Sequence, residues 1–140
     1  MSVSECKQAF ELARKNVITC SPNDGLSKVA KMMVDHWISS IVVVDRNKPV
    51  GIITDGIIFR LIANEQNPLT LRAKDVMSKP VLTIHPKCTL TEADDQFRKT
   101  KVKRLVFVDD EGTLIGIVSK KDIDRFAAYS LAERLRAHKH

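Results

Sequence analysis

Aromatic side chains are scarce in this sequence: one Trp, one Tyr and five Phe among 140 residues. Glycine and proline, five of each, are too few for collagen-like or low-complexity sequence. Cysteine occurs only at positions 6, 20 and 88, and no pair has CxxC spacing, so neither a disulfide framework nor a zinc ribbon is indicated. Three reduced, largely buried thiols are expected, since a free Cys packs as a small hydrophobe. No apolar run approaches the roughly 18 residues that a membrane-spanning helix needs; Ile41-Val42-Val43-Val44 is typical of the longest. The opening residues Met-Ser-Val-Ser-Glu-Cys-Lys lack the apolar stretch of a secretory signal. A soluble, cytoplasmic protein is expected. Gly-x-Ser-x-Gly, HExxH and P-loop signatures are missing, as is any nucleophile–base constellation, so neither catalysis nor catalytic residues are predicted. His36, His85, His138 and His140 form no cluster, and no metal site is predicted.

What is present is a well-mixed globular composition. Hydrophobic residues make up 44% and charged residues 29%, which excludes intrinsic disorder. The length suits one ordinary domain, or two small units sharing a core. The net charge of +6 permits anionic partners such as nucleotides, nucleic acid or acidic lipid, without choosing among them.

The most informative feature is an internal repeat. Val17-Ile18-Thr19, Pro22 and Leu26 recur 64 residues later as Val81-Leu82-Thr83, Pro86 and Leu90. The same offset carries Ile41-Val42-Val43-Val44-Asp45 onto Leu105-Val106-Phe107-Val108-Asp109. It becomes 65 where Gly51-Ile52-Ile53-Thr54 matches Gly116-Ile117-Val118-Ser119, because a turn has taken up one residue.

Each copy reads as strand, helix, strand, strand, helix. The leading strands are Val17–Thr19 and Val81–Thr83. Thr89 and Glu92 have capping-box spacing and predict a helix carrying Leu90, Ala93 and Phe97 on one face. Asp24 is the expected cap of its counterpart, with Leu26, Val29, Ala30 and Met33 inward. The unbroken apolar runs Ile41–Val44 and Leu105–Val108 predict buried strands. Turns at 45–49 and 109–112 lead into strands Val50–Ile53 and Leu114–Val118, and second helices start near Asp55-Gly56 and Lys120-Lys121. Residues 2–15, with Val3, Cys6, Phe10 and Ala13 at helical spacing, predict a flanking helix. Ile123, Phe126, Ala127, Ser130 and Leu131 predict another at the far end. The domain organisation is therefore 1–63 (flanking helix and repeat 1), 64–74 (linker), 75–127 (repeat 2) and 128–140 (helical tail). Units of about 50 residues bury little surface alone. The expected fold class is α+β, two β-α-β-β-α repeats packed sheet to sheet about a pseudo-twofold axis, with clefts between them.

The ordered set of Thr-x-x-Pro, an apolar strand ending in Asp, and Gly-h-h-[Ser/Thr]-x-x-Asp (h, apolar), twice over, resembles a tandem CBS-domain pair, also called a Bateman module. Asp75-Val76-Met77-Ser78 looks like the usual lead-in. The resemblance covers about residues 13–63 and 75–127, which leaves nothing over for a catalytic domain and implies a stand-alone pair. It implies a regulatory module that binds an adenine nucleotide, AMP or ATP foremost, or ADP, S-adenosylmethionine or an NAD-type ligand, with no cofactor required. Magnesium can accompany a triphosphate, though nothing in the sequence specifies it. The motif Asp of the family bonds the ribose hydroxyls and the Ser/Thr a phosphate or ribose oxygen. Ionised carboxylates suit a cis-diol, and a helix mouth suits an anion.

Carried onto this chain, the best site comprises Ser119, Asp122, Ile117 and Lys121, completed by Lys15, Val17, Ile38 and Ser39. The second cleft combines Thr54, Met77, Lys79, Val81, Val102 and Lys103, with Lys103 and Arg104 as phosphate contacts. Repeat 1 keeps Thr54 but has Ile57 where the ribose carboxylate belongs, so one competent and one impaired site are expected. Homodimerisation is also implied, through helices Leu26–Asp35, Gly56–Ala63 and their equivalents, with an unidentified regulated protein as partner. Two other readings stand beside this one. The basic run Arg98, Lys99, Lys101, Lys103 and Arg104 is a candidate nucleic-acid patch, though it contains no aromatic for base stacking. A ligand-free dimerisation scaffold is the other.

Overall fold

The structure, a computed structural model, describes residues 8–137. Its elements in chain order are β1 (Thr19–Cys20), α1 (Leu26–Asp35), β2 (Ser40–Asp45), β3 (Lys48–Thr54), α2 (Asp55–Ala63), α3 (Ala73–Val76), β4 (Thr83–Ile84), α4 (Leu90–Thr100), β5 (Arg104–Val108), β6 (Leu114–Ser119) and α5 (Lys120–Ala137). Short 3-10 turns occupy Ala9–Leu12 and Pro68–Thr70. There are two three-stranded sheets, β1-β2-β3 and β4-β5-β6. Both open with a parallel pair in equivalent register: Thr19 faces Val42, and Thr83 faces Val106. The α+β class and the repeated β-α-β-β-α order are as the sequence implied.

The chain divides into two compact units, and chain order does not define them. Among the described residues the repeat-1 unit is 17–81 with 112–114; the repeat-2 unit is 8–16, 82–111 and 115–137. The segment before repeat 1 therefore packs with repeat 2.

In the repeat-1 unit, Leu26, Val29 and Met33 of α1 pack on Ile41, Val43 and Ile53 of the sheet, with Cys20 and Ala73. Burying each larger aliphatic side chain stabilises the unit by roughly 1.5–3 kcal/mol. Val42 is also fully buried, so both faces of β2 are covered. That is why its sequence runs apolar without alternation. The hairpin turn is Arg46-Asn47, at φ 52 and 67, the positive values of a type I′ turn. β3 therefore starts at Lys48, two residues before the predicted Val50. It takes in Pro49 because a bulge leaves Val50 as the extra residue between Pro49 and Gly51.

In the repeat-2 unit, Leu90, Ala93 and Phe97 of α4 pack on Leu105, Phe107 and Val118, with Ile123 of α5 and with Ala9 and Ala13. The predicted capping box is present. Thr89 Oγ1 accepts from Glu92 N–H, and the Glu92 carboxylate accepts from Thr89 N–H, both at 3.1 Å.

Four sequence expectations are corrected. Asp24 does not cap α1: the N-cap is Gly25, and Leu26 N–H donates to Leu71 O at 2.9 Å. The Asp24 carboxylate instead accepts from Ser21 N–H at 2.8 Å and pairs with Lys28 at 3.1 Å, and the two together hold its pKa below the ordinary carboxylate value. The leading strands start later than predicted, at Thr19 and Thr83. The described part of the predicted 2–15 helix is a four-residue 3-10 turn followed by extended backbone; Val3 and Cys6 lie outside the described residues. The segment 64–74 is not a bare linker, since it holds the Pro68–Thr70 turn and the start of α3. The far-end helix is present, with α5 running from Lys120 through Ala137. Among the described residues no helix is long and apolar enough to cross a membrane.

Candidate functional site

The junction of β6 and α5 carries the complete motif. Ser119 ends the strand and α5 starts at Lys120. Ser119 Oγ accepts from Asp122 N–H at 3.1 Å, and Asp122 Oδ2 accepts from Ser119 N–H at 3.3 Å. This reciprocal cap holds the hydroxyl and the carboxylate at the positive end of an eighteen-residue helix. One carboxylate oxygen serves the cap. The other, Oδ1, bonds no described residue, so it can accept from a ligand without dismantling the helix start. Lys120 N–H donates to Lys103 O at 2.8 Å, which sets the start of β5 beside that cap. Lys103 and Lys121 are exposed; Arg104 and Val102 are half-buried, and Val102 packs against the repeat-2 core.

The lead-in segment reaches the same strand. Arg14 and Ile117 exchange both main-chain hydrogen bonds, at 2.9 and 3.1 Å. Lys15 follows, with its ammonium 4.9 Å above the Phe10 ring. Ser119, Asp122, Ile117, Lys121, Lys15, Lys103 and Arg104 all belong to the repeat-2 unit, whereas Val17, Ile38 and Ser39 belong to the repeat-1 unit. Sequence reasoning divided these residues between two sites.

The repeat-1 unit repeats the arrangement with one group missing. Thr54 caps α2, accepting from Ile57 N–H at 3.2 Å, but Ile57 has no carboxylate to return the bond. The Asp55 carboxylate turns back to Gly56 N–H at 2.7 Å. Asp55 N–H donates to Ser39 O at 3.0 Å, matching Lys120 with Lys103. Ser78 exchanges main-chain bonds with Ile52, matching Arg14 with Ile117. Met77 packs on this core against Gly51, and Ile38 packs there too. Val17 and Val81 are half-buried and Lys79 is exposed.

Sequence reasoning missed Phe10, Ala13 and Arg14 as partners of repeat 2. A signal was present: Ala9 and Ala73, both fully buried, hold the 64-residue offset upstream of where the repeat was traced. A separate recess of about 340 Å3 lies in the repeat-2 unit, lined by Ile84, His85, Lys87, Cys88, Glu92 and Gln96. It includes none of the predicted residues. Burial, with Glu92 adding, pushes the Cys88 thiol up. Among the described residues no group of three His, Cys, Asp or Glu side chains could hold a metal ion.

A family model described as "CBS domain" matches residues 9–64 and again 73–129. The chain belongs to the CBS domain family. Both CBS matches begin at the buried alanines of the lead-in segments. The chain is 37% identical over 124 residues to uncharacterized protein MK0525 of Methanopyrus kandleri, covering 87% of this chain and 63% of that one. It is 37% identical over 133 residues to inosine-5'-monophosphate dehydrogenase of Methanocaldococcus jannaschii, covering 94% of this chain but 26% of the enzyme. The chain thus spans under two thirds of either relative. Among solved structures it is similar to the CBS domain pair of protein MJ0100 in complex with 5-methylthioadenosine and S-adenosyl-L-methionine. The TM-score there is 0.78 at 26% identity, covering 88% of this chain and 97% of that one. It is also similar to CBSX2 in complex with AMP, with TM-score 0.73 at 25% identity and the same coverages.

Proposed function

We propose that this CBS-domain chain is a regulatory module that binds an adenosyl ligand at Ser119–Asp122 of the repeat-2 unit. The reciprocal cap is the observation that carries the reading. It holds a carboxylate with one oxygen left over to accept from ribose hydroxyls, at the positive end of a helix, whose dipole favours a nearby phosphate. The bound ligands in the structures of MJ0100 and CBSX2, S-adenosylmethionine with methylthioadenosine and AMP, support the adenosyl class. Asp122 takes the ribose and Ser119 a phosphate or ribose oxygen. Ile117 supplies an apolar wall for adenine. Lys103, Arg104, Lys121 and Lys15 supply positive charge for phosphates, where charge-assisted hydrogen bonds are about twice as strong as neutral ones. Repeat 1, with Ile57 in place of the acid, is a poor ribose binder. The ligand acts by population shift, favouring one conformation of the module and so biasing a partner's activity. The reading includes self-association through α1 and α2; a similar CBS-CP12 structure is described as hexameric.

The test is thermal stability against AMP, ADP, ATP, S-adenosylmethionine, NADH and a short single-stranded oligonucleotide. A ligand at 100 times its dissociation constant adds roughly 2.7 kcal/mol, a shift of several degrees for a chain of this size. Asp122→Ala is expected to abolish the shift while the fold persists. Unchanged nucleotide affinity in that variant would sink the reading. A shift with the oligonucleotide alone, lost at high salt, would move the function to the basic run 98–104.

A further inference from the structure

The lead-in segment 8–15 is built as a latch on the edge of the proposed site. β6 is the outer strand of its sheet, and Arg14 pairs with its free edge at Ile117 through both main-chain bonds. At the other end of the segment, Ala9 N–H donates to Cys88 O at 2.9 Å. Between these anchors Ala9 and Ala13 are buried, and the Phe10 ring meets Phe107 edge-on, with centroids 5.1 Å apart and planes at 71°. Gly116 forms the floor. A Cβ there would lie 3.0 Å from Phe10 Cε1, 3.4 Å from Ala13 Cβ and 3.5 Å from Arg14 O. Any side chain there would press on the Phe10 ring and force it to give by a few tenths of an ångström.

The latch and the cap share one strand, because Ile117 stands two residues before Ser119. Undocking would strip Ile117 of its partner and loosen the strand end whose Ser119 N–H fixes the Asp122 carboxylate. It would also carry Lys15 away from this edge. A ligand on Ser119 and Asp122 therefore meets a better-ordered site when segment 8–15 is docked.

We infer that docking of segment 8–15 is thermodynamically linked to occupancy of the Ser119–Asp122 site, which makes the segment the element through which ligand changes the protein's conformation. This rests on the ligand reading above. Linkage is reciprocal: ligand tightens the latch by the same factor by which the latch tightens ligand. The repeat-1 unit supplies an internal control, since Ser78 pairs with Ile52 in the same way where Ile57 replaces the acid.

Amide hydrogen exchange on the full chain, with and without saturating AMP or S-adenosylmethionine, tests this. The Ala9, Arg14 and Ile117 amides are expected to slow by about tenfold, within the usual range of coupling between sites, while those of Ile52 and Ser78 hold their rates. Gly116→Val and the milder Phe10→Ala are both expected to release the segment and to weaken binding of the same probe. Binding that depends on Asp122 but leaves the Ala9, Arg14 and Ile117 amides unchanged overturns the linkage and spares the ligand reading. So does a Phe10→Ala protein whose segment is loosened at undiminished affinity. Failure of AMP, S-adenosylmethionine and the other adenosyl ligands of the panel alike to bind wild type, seen as no thermal shift, removes the ligand reading and the linkage with it.

Discussion

One residue separates the two helix starts that the repeat would otherwise make alike. Asp122 returns the bond that Ser119 receives, whereas Ile57 cannot return the bond that Thr54 receives. That difference was legible in sequence, because it depends only on which residue stands three positions after the hydroxyl. The structure adds that one carboxylate oxygen is left over. Cys20 shows the opposite case. Its burial was expected from sequence, but that Asp24 and Lys28 act on the thiol could be learned only from the fold. Burial, with Asp24 adding and Lys28 opposing, raises its pKa from the ordinary 9.0 to about 11. The unfolded thiol ionises first as pH rises, so the folded state loses this contribution between pH 9 and 11 and keeps it fully below 9. Urea titrations across that range are expected to show wild type losing stability relative to Cys20→Ala. Parallel curves for the two proteins would refute the assignment. Thiol alkylation at Cys20 is expected to be slow at pH 8 for the same reason.

At the scale of elements, α4 was readable because both halves of its capping box lie within four residues. The start of α1 was not, because Leu71, distant in sequence, accepts its first N–H. The segment before repeat 1 was misread as a helix because Phe10 and Ala13 stand at helical spacing. The turn stops at Leu12, and the chain extends so that Arg14 can pair with Ile117. The motif glycines take their meaning from the same packing. A Cβ on Gly51 would stand 2.4 Å from Met77 Sδ and 2.8 Å from Met77 Cβ. Gly51→Ala must displace the lead-in of repeat 2, and is expected to destabilise by about 1–3 kcal/mol, the usual cost of overpacking. Chemical denaturation measures it, and a change below a few tenths would show that α3 moves aside freely.

For the whole molecule, the repeat-1 unit leaves Val34 (73% exposed), Trp37 (93%), Phe59 (67%) and Ile62 (56%) in contact with solvent. These lie on or beside α1 and α2, the helices assigned to self-association. Phe59→Asp is expected to shift sedimentation equilibrium toward the monomer without lowering the melting temperature of the monomeric form. An unchanged mass distribution would place the interface elsewhere.

The sequence by itself determined the repeat, its element order, the α+β class and the inequality of the two Ser/Thr motifs. All of these follow from periodicity, local capping and residue identity within a few positions. Only the tertiary structure decided that the lead-in of each repeat pairs with the last strand of the other copy, Arg14 with Ile117 and Ser78 with Ile52. The same packing brings Lys15, Lys103 and Asp122 into one unit. Main-chain pairing is blind to side-chain identity and here joins residues up to 103 positions apart. No local pattern records such a contact; it is fixed by which sheet edge is free and which glycine leaves room beside it.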